Sequence, residues 1–324
     1  MRRREFIVLV GGAAAVWPLA ARAQQAAGTL RLGTVSVNPR SSPFYAAFEQ
    51  RLAELGYQQG KNFAFEFVQI FSVEEYESSF RELIERKIDI IFAGGAELGL
   101  KWALKATNTL PIVMIATDYD PFARGYVTSL ARPNGNVTGV FLQPIELTAK
   151  RLQLMKDVFP NIQAVTVFWD RVSADQWSAA RDASGKLGLQ LAGVELHEQP
   201  YDYDQALAQA PPDYRKSLFV LTSPFFFRDR ARLADLGLRN RIISMFVFRE
   251  WVDAGGLLSY GPSFIGMYRR AAEYVDRIAR GTKPGDLPIE QPTKFELVVN
   301  RKTAEAIGIN LPTSILVLAD EVIE

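Results

Sequence analysis

Cysteine is absent from the chain, and histidine occurs once, as His197. The protein therefore has no disulfide, no thiolate ligand for zinc, no cysteine nucleophile and no N-terminal cysteine that could carry a lipid. His197 lies in the polar stretch Glu195-Leu196-His197-Glu198-Gln199, which is typical of a solvated loop. One histidine without cysteine is too few for the usual zinc sites, so we expect no metal site.

The common catalytic motifs are missing as well. The chain has no G-x-x-x-x-G-K-[ST] phosphate loop, no G-x-S-x-G nucleophile elbow and no H-E-x-x-H zinc motif. The segment Gly94-Gly95-Ala96-Glu97-Leu98-Gly99 follows a predicted strand and opens a helix, but it departs from the dinucleotide-binding pattern G-x-G-x-x-G. These absences favour a binding protein over an enzyme, with no catalytic residue and no cofactor.

Charge of one sign does not accumulate. The chain has 37 lysines and arginines against 36 aspartates and glutamates. Nucleic acids and anionic membranes attract proteins through concentrated positive charge, so we expect neither as a partner. The length of 324 residues and the hydrophobic content of 48% are sufficient for two globular domains.

No apolar run is long enough for a membrane-spanning helix, which needs about 20 residues. The apolar stretch from Phe6 to Ala21 follows three arginines, Arg2 to Arg4, and ends in Ala21-Arg22-Ala23. A basic start, a short apolar stretch and a small-x-small end are typical of a cleaved export signal. We therefore predict that residues 1–23 are removed by cleavage near Ala23 and that the mature protein is periplasmic.

The export route has two candidates. Arg3-Arg4-Glu5-Phe6-Ile7 resembles the twin-arginine signal, but paired arginines also occur in ordinary signals, so the general route stays open.

A repeated strand-helix pattern follows the signal. Leu30 to Val37 is apolar and β-rich, and Ser42 followed by Pro43 is a typical helix start. Similar pairs recur up to about residue 139, and a second series begins after residue 147. Alternating strands and helices predict parallel sheets with right-handed crossovers. We therefore expect an α/β protein with two doubly wound lobes, between which the chain passes more than once.

The ends of the predicted strands indicate where a ligand would bind. In open parallel sheets, ligands bind beyond the carboxyl ends of the strands, where loops lead into helices. The candidate ligand-binding residues at these positions are Ser36, Ser41, Ser42, Gly95, Ala96, Glu97, Asp118, Tyr119, Trp169, Asp170, Thr222, Ser223, Phe225, Phe246 and Glu250.

Three kinds of chemistry occur in this set. Residues at helix starts, namely Ser41, Ser42, Ala96 and Ser223, could hold a carboxylate through backbone N–H groups, although a serine there can simply cap its helix. The carboxylates of Asp118, Asp120 and Asp170 could bind an ammonium group, although Asp118 and Asp120 could instead form an Asx turn before Pro121. The aromatic residues Tyr119, Trp169, Phe225, Phe226 and Phe246 could enclose an apolar group, or they could fill the core.

Several segments are similar in order and spacing to a known family. They are AFEQRLAELGYQQGKNFAFEF (47–67), SLARPNGNVTGV (129–140), REWVDAGGLLSYGPS (249–263), YVDRIARGTKPGDLPIEQPTKFELVVNRKTAEAIGI (274–309) and ADEVIE (319–324). They resemble the ABC transporter substrate-binding proteins that include the tryptophan and tyrosine binding proteins. The resemblance covers nearly the whole chain after the signal.

The resemblance implies a type I periplasmic binding protein fold, with two lobes joined by three crossings and the ligand in the cleft. Lobe 1 would comprise residues 29–141 and 262–286, and lobe 2 would comprise residues 142–261 and 287–324. Members of the family differ in ligand, and the run Phe225-Phe226-Phe227 could reshape the pocket.

The resemblance also implies a function. The protein would be a monomeric receptor that captures a small ligand, closes by hinge motion and docks on an ABC permease. We expect an aromatic or bulky apolar amino acid, or a related carboxylate. A sensory protein that presents its ligand to a receptor kinase, or a periplasmic enzyme on the same scaffold, are the alternatives.

Overall fold

Two β-sheets organise residues 28–324, the part of the chain that the computed structural model describes. The predicted export signal of residues 1–23 lies outside this range. Within residues 28–324, none of the helices combines the length and the apolar character needed to cross a membrane.

The first sheet contains five parallel strands in the order β2-β1-β3-β4-β5. The strands are β1 (Leu30–Ser36), β2 (Phe63–Gln69), β3 (Ile90–Gly95), β4 (Ile112–Ala116) and β5 (Val137–Phe141). Between them lie the helices α1 (Pro43–Glu54), α2 (Tyr76–Glu85) and α3 (Glu97–Ala106). Strand β4 is buried along its whole length, as expected for a parallel strand covered on both faces.

The second series starts with helix α4 (Pro144–Val158). Its strands are β6 (Ala164–Asp170), β7 (Gln190–Leu196), β8 (Ser217–Val220), β9 (Ile243–Phe246) and β10 (Leu258–Pro262). Its further helices are α5 (Ala174–Leu187), α6 (Tyr203–Gln209), α7 (Pro224–Arg228), α8 (Arg230–Arg239) and α9 (Arg249–Asp253).

The last part of the chain contributes to both lobes. Helix α10 (Phe264–Ala279) packs on α1, β4 and β5 of the first sheet. The chain then adds β11 (Phe295–Asn300), α11 (Arg301–Ile307), α12 (Thr313–Leu318) and β12 (Glu321–Ile323) to the second sheet, whose order is β12-β11-β10-β9-β8-β6-β7. Within it, β11 runs antiparallel to β10, and the other pairs are parallel.

This arrangement confirms the predicted α/β fold of two lobes joined by three passages of the chain. The passages follow β5, β10 and Glu290. Residues 287–290 still bond to the first lobe, because the Glu290 backbone N–H donates to the Gly139 carbonyl at 3.0 Å and the Phe141 N–H donates to the Glu290 carbonyl at 2.9 Å. We therefore propose a third boundary after Glu290, four residues beyond the predicted division at Asp286.

Two hydrophobic cores hold the lobes. In the first, Phe48 stacks on Phe92 with ring centroids 4.4 Å apart. The second lies between α4 and the second sheet and includes Met155 and Phe219. The first core extends across the cleft to α7, where Phe227 packs edge-to-face on Phe44 at 5.6 Å. Aromatic packing therefore bridges the two lobes.

Candidate functional site

The carboxyl ends of the strands of both sheets face each other across the cleft between the lobes. An inner cavity of ≈ 30 Å³ is lined from the first lobe by Ser36, Ala96 and Thr117, and from the second by Thr222, Ser223 and Phe227. A larger outer cavity of ≈ 600 Å³ is lined by Glu97, Lys101 and Trp102 on one side, and by Asp170, Tyr201 and Phe225 on the other.

Asp118 follows β4 at the edge of the first lobe and is 1% exposed. Its Oδ1 accepts a hydrogen bond from the Glu97 backbone N–H at 3.0 Å, at the start of α3. Its Oδ2 is buried and has no hydrogen-bond partner among the described residues. Burial raises the pKa of Asp118 well above its ordinary value, and the nearby carboxylate of Asp170 raises it further.

Asp170 ends β6 in the second lobe and is 2% exposed. Its Oδ2 accepts hydrogen bonds from the Ser223 hydroxyl at 2.5 Å and the Tyr201 hydroxyl at 3.2 Å. Its Oδ1 accepts from the Ser173 backbone N–H at 3.2 Å, so the side chain also caps the following turn. Burial raises its pKa, while these donors oppose the rise.

The two carboxylates lie on opposite lobes, next to residues that line the two cavities. Asp118 directly follows Thr117, which lines the inner cavity. It accepts a hydrogen bond from the backbone N–H of Glu97, which lines the outer cavity. Asp170 lines the outer cavity, and its partner Ser223 lines the inner one. Within residues 28–324 neither carboxylate forms an ion pair. A buried carboxylate without a basic partner is costly unless a proton or a bound cation neutralises it. Neutralising these two carboxylates would therefore relieve a cost of burial at the cleft.

The structure brings most of the predicted residues to this cleft. They are Ser36, Gly95, Ala96, Thr222 and Ser223 at the inner cavity, Glu97, Asp170 and Phe225 at the outer cavity, and Asp118, which lines neither cavity but accepts a hydrogen bond from Glu97. Seven of these nine residues are polar or glycine, and they lie at strand ends or helix starts, where the strand-end argument placed them.

Besides Asp118, six predicted residues line neither cavity. For Ser41 and Ser42 the reason is local, because the Ser42 hydroxyl donates to the Pro39 carbonyl at 2.7 Å and forms no cap to α1. Tyr119 is buried in the first core, and its hydroxyl contacts the Met114 sulfur at 3.6 Å.

The other three residues lie within the second lobe. Trp169 stacks on Trp177 with ring centroids 6.1 Å apart, and Phe246 stacks on Trp251 at 5.8 Å. Glu250 is half-buried near Glu296 and lines neither cavity. Asp120 accepts hydrogen bonds from the backbone N–H groups of the two residues after Pro121, which is the Asx turn considered as its alternative.

Sequence reasoning missed several residues of the inner cavity. Thr117 directly precedes Asp118, so the strand-end argument could have found it. Phe248, Trp251 and Phe264 also line this cavity, and Phe248 packs on Phe264 at 4.5 Å. Phe264 begins α10 just after the second passage between lobes, and no local sequence signal marks that position.

Glu250 provides a pH-dependent contribution to stability. Both carboxylate oxygens are buried without a partner among the described residues, and burial raises the pKa of Glu250 to about 7. The pKa of Glu250 is higher in the folded state than in the unfolded state. Its protonated form therefore favours the folded state at low pH, and this contribution to stability is lost as the pH rises through about 7.

We therefore expect Glu250→Gln to reduce the loss of stability between pH 5.5 and 8.5 by about 1–2 kcal/mol. Urea unfolding at both pH values measures the difference, with Glu146→Gln, an exposed glutamate of α4, as the matched control. Identical pH dependence in the two variants would contradict the assignment.

Comparison with known proteins places the chain in a family. The family model described as "ABC transporter substrate binding protein" matches residues 39–323. The chain belongs to this family.

A relative with a curated name and two solved structures agree with this membership. The tyrosine-binding protein of Clostridioides difficile is 23% identical over 266 residues, which are 81% of this chain and 75% of the relative. The ABC domain of Streptococcus pneumonia in complex with L-Trp is 20% identical, with a TM-score of 0.80 over 91% of this chain and 100% of that one. A ligand-free, open substrate-binding protein of Clostridium difficile is 20% identical, with a TM-score of 0.65 over 91% of this chain and 99% of that one. The substrate-binding protein described here therefore shares the fold of ligand-free and ligand-bound structures.

Proposed function

We propose that this substrate-binding protein is the exported receptor of an ABC importer and captures an amino acid with an aromatic or bulky apolar side chain. The observation that carries the proposal is the pair of buried carboxylates, Asp118 and Asp170, which come from opposite lobes and have no basic partner among residues 28–324. A ligand ammonium between them would neutralise both and would favour the arrangement in which the lobes meet.

The size of the cavities indicates how such a ligand would lie. The inner cavity of ≈ 30 Å³ has room for about one water molecule, whereas the outer cavity of ≈ 600 Å³ matches a small-molecule site. The apolar body of the ligand would therefore occupy the outer cavity beside Trp102, Tyr201 and Phe225. Lys101 and Arg171, one from each lobe, line the same cavity and would face the ligand carboxylate.

Receptor function also requires release and delivery. The three passages of the chain between the lobes form the hinge, and opening at the hinge would expose both carboxylates to solvent. Family membership supports a periplasmic monomer that docks on an inner-membrane permease, with residues 1–23 as the export signal. Two relatives support an aromatic amino acid as ligand, since one is named for tyrosine and another was solved with L-Trp.

A thermal-shift screen of the refolded, ligand-stripped protein tests the ligand class. The panel contains L-tryptophan, L-tyrosine, aliphatic amino acids and the matching acids without an amino group, such as indole-3-propionate. A ligand at 100 times its dissociation constant adds about 2.7 kcal/mol of stability. We expect stabilisation by one class of amino acid and none by the deaminated acids. Equal stabilisation by a deaminated acid would rule out the ammonium site.

A further inference from the structure

A single ion pair connects the two lobes among residues 28–324. Arg124 lies in the loop between β4 and β5 of the first lobe, and its Nη2 donates to Oδ2 of Asp175 in α5 of the second lobe at 2.5 Å. Every other ion pair of the described residues joins groups within one lobe. The contact therefore exists only while the lobes are together.

The guanidinium of Arg124 is held in place from its own lobe. Its Nε donates to Glu97 Oε1 at 3.0 Å, and the Tyr126 hydroxyl donates to the same oxygen at 2.7 Å. Burial and the Glu97 carboxylate raise the pKa of Tyr126 far above its ordinary value, so the hydroxyl stays protonated as a donor. Because the planar guanidinium is already oriented by Glu97, closing the cleft needs to order only Asp175.

Glu97 links this contact to the ligand site. Its backbone N–H holds Asp118 at 3.0 Å, its side chain holds Arg124, and the residue lines the outer cavity. The residue that orients Arg124 therefore also orients the carboxylate of the ammonium site. A movement of the lobes at Arg124 would therefore also affect Glu97 and Asp118 beside the ligand.

We infer that Arg124 is a positioning residue that holds the closed form through Asp175 and slows the release of ligand. The inference rests on the proposed receptor function, in which the lobes open and close. The side chains of Arg124 and Asp175 are 39% and 45% exposed, so the pair is accessible to solvent and salt. Pairs of this exposure change an equilibrium by about two- to fivefold, which sets the size of the expected effect.

The closed fraction can be measured without ligand. Because the chain has no cysteine, Ser78→Cys in α2 and Glu198→Cys after β7 give two unique labelling sites on opposite lobes. Both are exposed and lie within four residues, along the chain, of residues that line the outer cavity. Distances between labels at these sites report the width of the cleft. Asp175→Asn and Arg124→Gln should each lower the closed fraction about two- to fivefold. Arg124→Lys, which keeps the charge, should restore part of it.

The control is Asp182→Asn, an exposed aspartate on the same helix that forms no ion pair among residues 28–324. It should leave the distances unchanged. High salt should widen the cleft of the parent protein and leave the two pair-breaking variants unaffected, because salt screens exposed charges. The inference is overturned if Asp175→Asn and Arg124→Gln show the distances and the salt response of the parent.

Ligand release is the second measurement. With L-tryptophan and L-tyrosine as probes, the dissociation rate should rise about two- to fivefold in Asp175→Asn and Arg124→Gln, with little change in the association rate. An unchanged dissociation rate would overturn the role in release. If neither probe binds the parent protein, the proposed amino-acid ligand is wrong, while the label distances still decide whether Arg124 holds the lobes together.

Discussion

Asp118→Asn is expected to weaken the binding of an amino-acid ligand by roughly 10- to 150-fold, the value of one charge-assisted hydrogen bond of about 1.5–3 kcal/mol. The substitution keeps the size of the side chain and an acceptor for the Glu97 backbone N–H, but it removes the negative charge. Without ligand, the same substitution should preserve or increase stability, because Asp118 Oδ2 is buried without a partner among the described residues. Isothermal titration and urea unfolding measure the two effects.

Asp120→Asn is the matched control. Asp120 lies two residues away, outside both cavities, and asparagine can preserve its Asx turn. We expect affinity within about twofold of the parent, as is usual for surface substitutions. If Asp118→Asn and Asp120→Asn bind the ligand equally well, Asp118 does not contact the ammonium group.

The same site predicts a pH dependence of binding. A carboxylate binds an ammonium group only when it is ionised, and burial raises the pKa of Asp118 in the free protein. As the pH falls through this raised value, protons compete with the ligand and the affinity decreases. Titrations over a pH series should show this decrease in the parent protein and a flatter profile in Asp118→Asn.

The strand-end argument found this site because parallel strands present their carboxyl ends at a common edge. Asp118 and Asp170 were identified from nothing more than their place after apolar runs. The argument could not decide which face of the sheet each side chain occupies. Trp169 precedes Asp170, and successive side chains of a strand point to opposite faces. Trp169 therefore turns to the second core while Asp170 turns to the cleft.

Contacts between segments that are far apart along the chain could not be predicted from the sequence either. Phe44 and Phe227 meet only because α1 and α7 face each other across the cleft. The Arg124 to Asp175 pair joins a loop of the first lobe to the first turn of α5, and both segments look like ordinary solvated surface in the sequence. The third boundary that we propose after Glu290 could not be predicted, because residues 287–290 carry no composition signal that separates them from the following linker. Their assignment depends on backbone hydrogen bonds to the first lobe.

Gly139→Ala is expected to destabilise the protein by about 2–5 kcal/mol, the sum of backbone strain and overpacking. Gly139 lies in β5 with φ of 140°, a conformation that favours glycine. A Cβ at this position would lie 2.0 Å from the Met114 carbonyl oxygen of β4, and backbone cannot move aside as a flexible side chain can. The Gly139 carbonyl also accepts the hydrogen bond from Glu290 that anchors the third passage to the first lobe.

Gly185→Ala is the control for this prediction, because the same substitution should there increase stability. Gly185 lies within α5, has an ordinary helical backbone and has nothing within 4 Å of an added Cβ. Alanine should therefore stabilise this helix by about 0.5–1 kcal/mol. Guanidinium unfolding of both variants compares the same chemical change at two positions. If Gly139→Ala were as stable as the parent, the close approach of β4 and β5 at Met114 would be wrong.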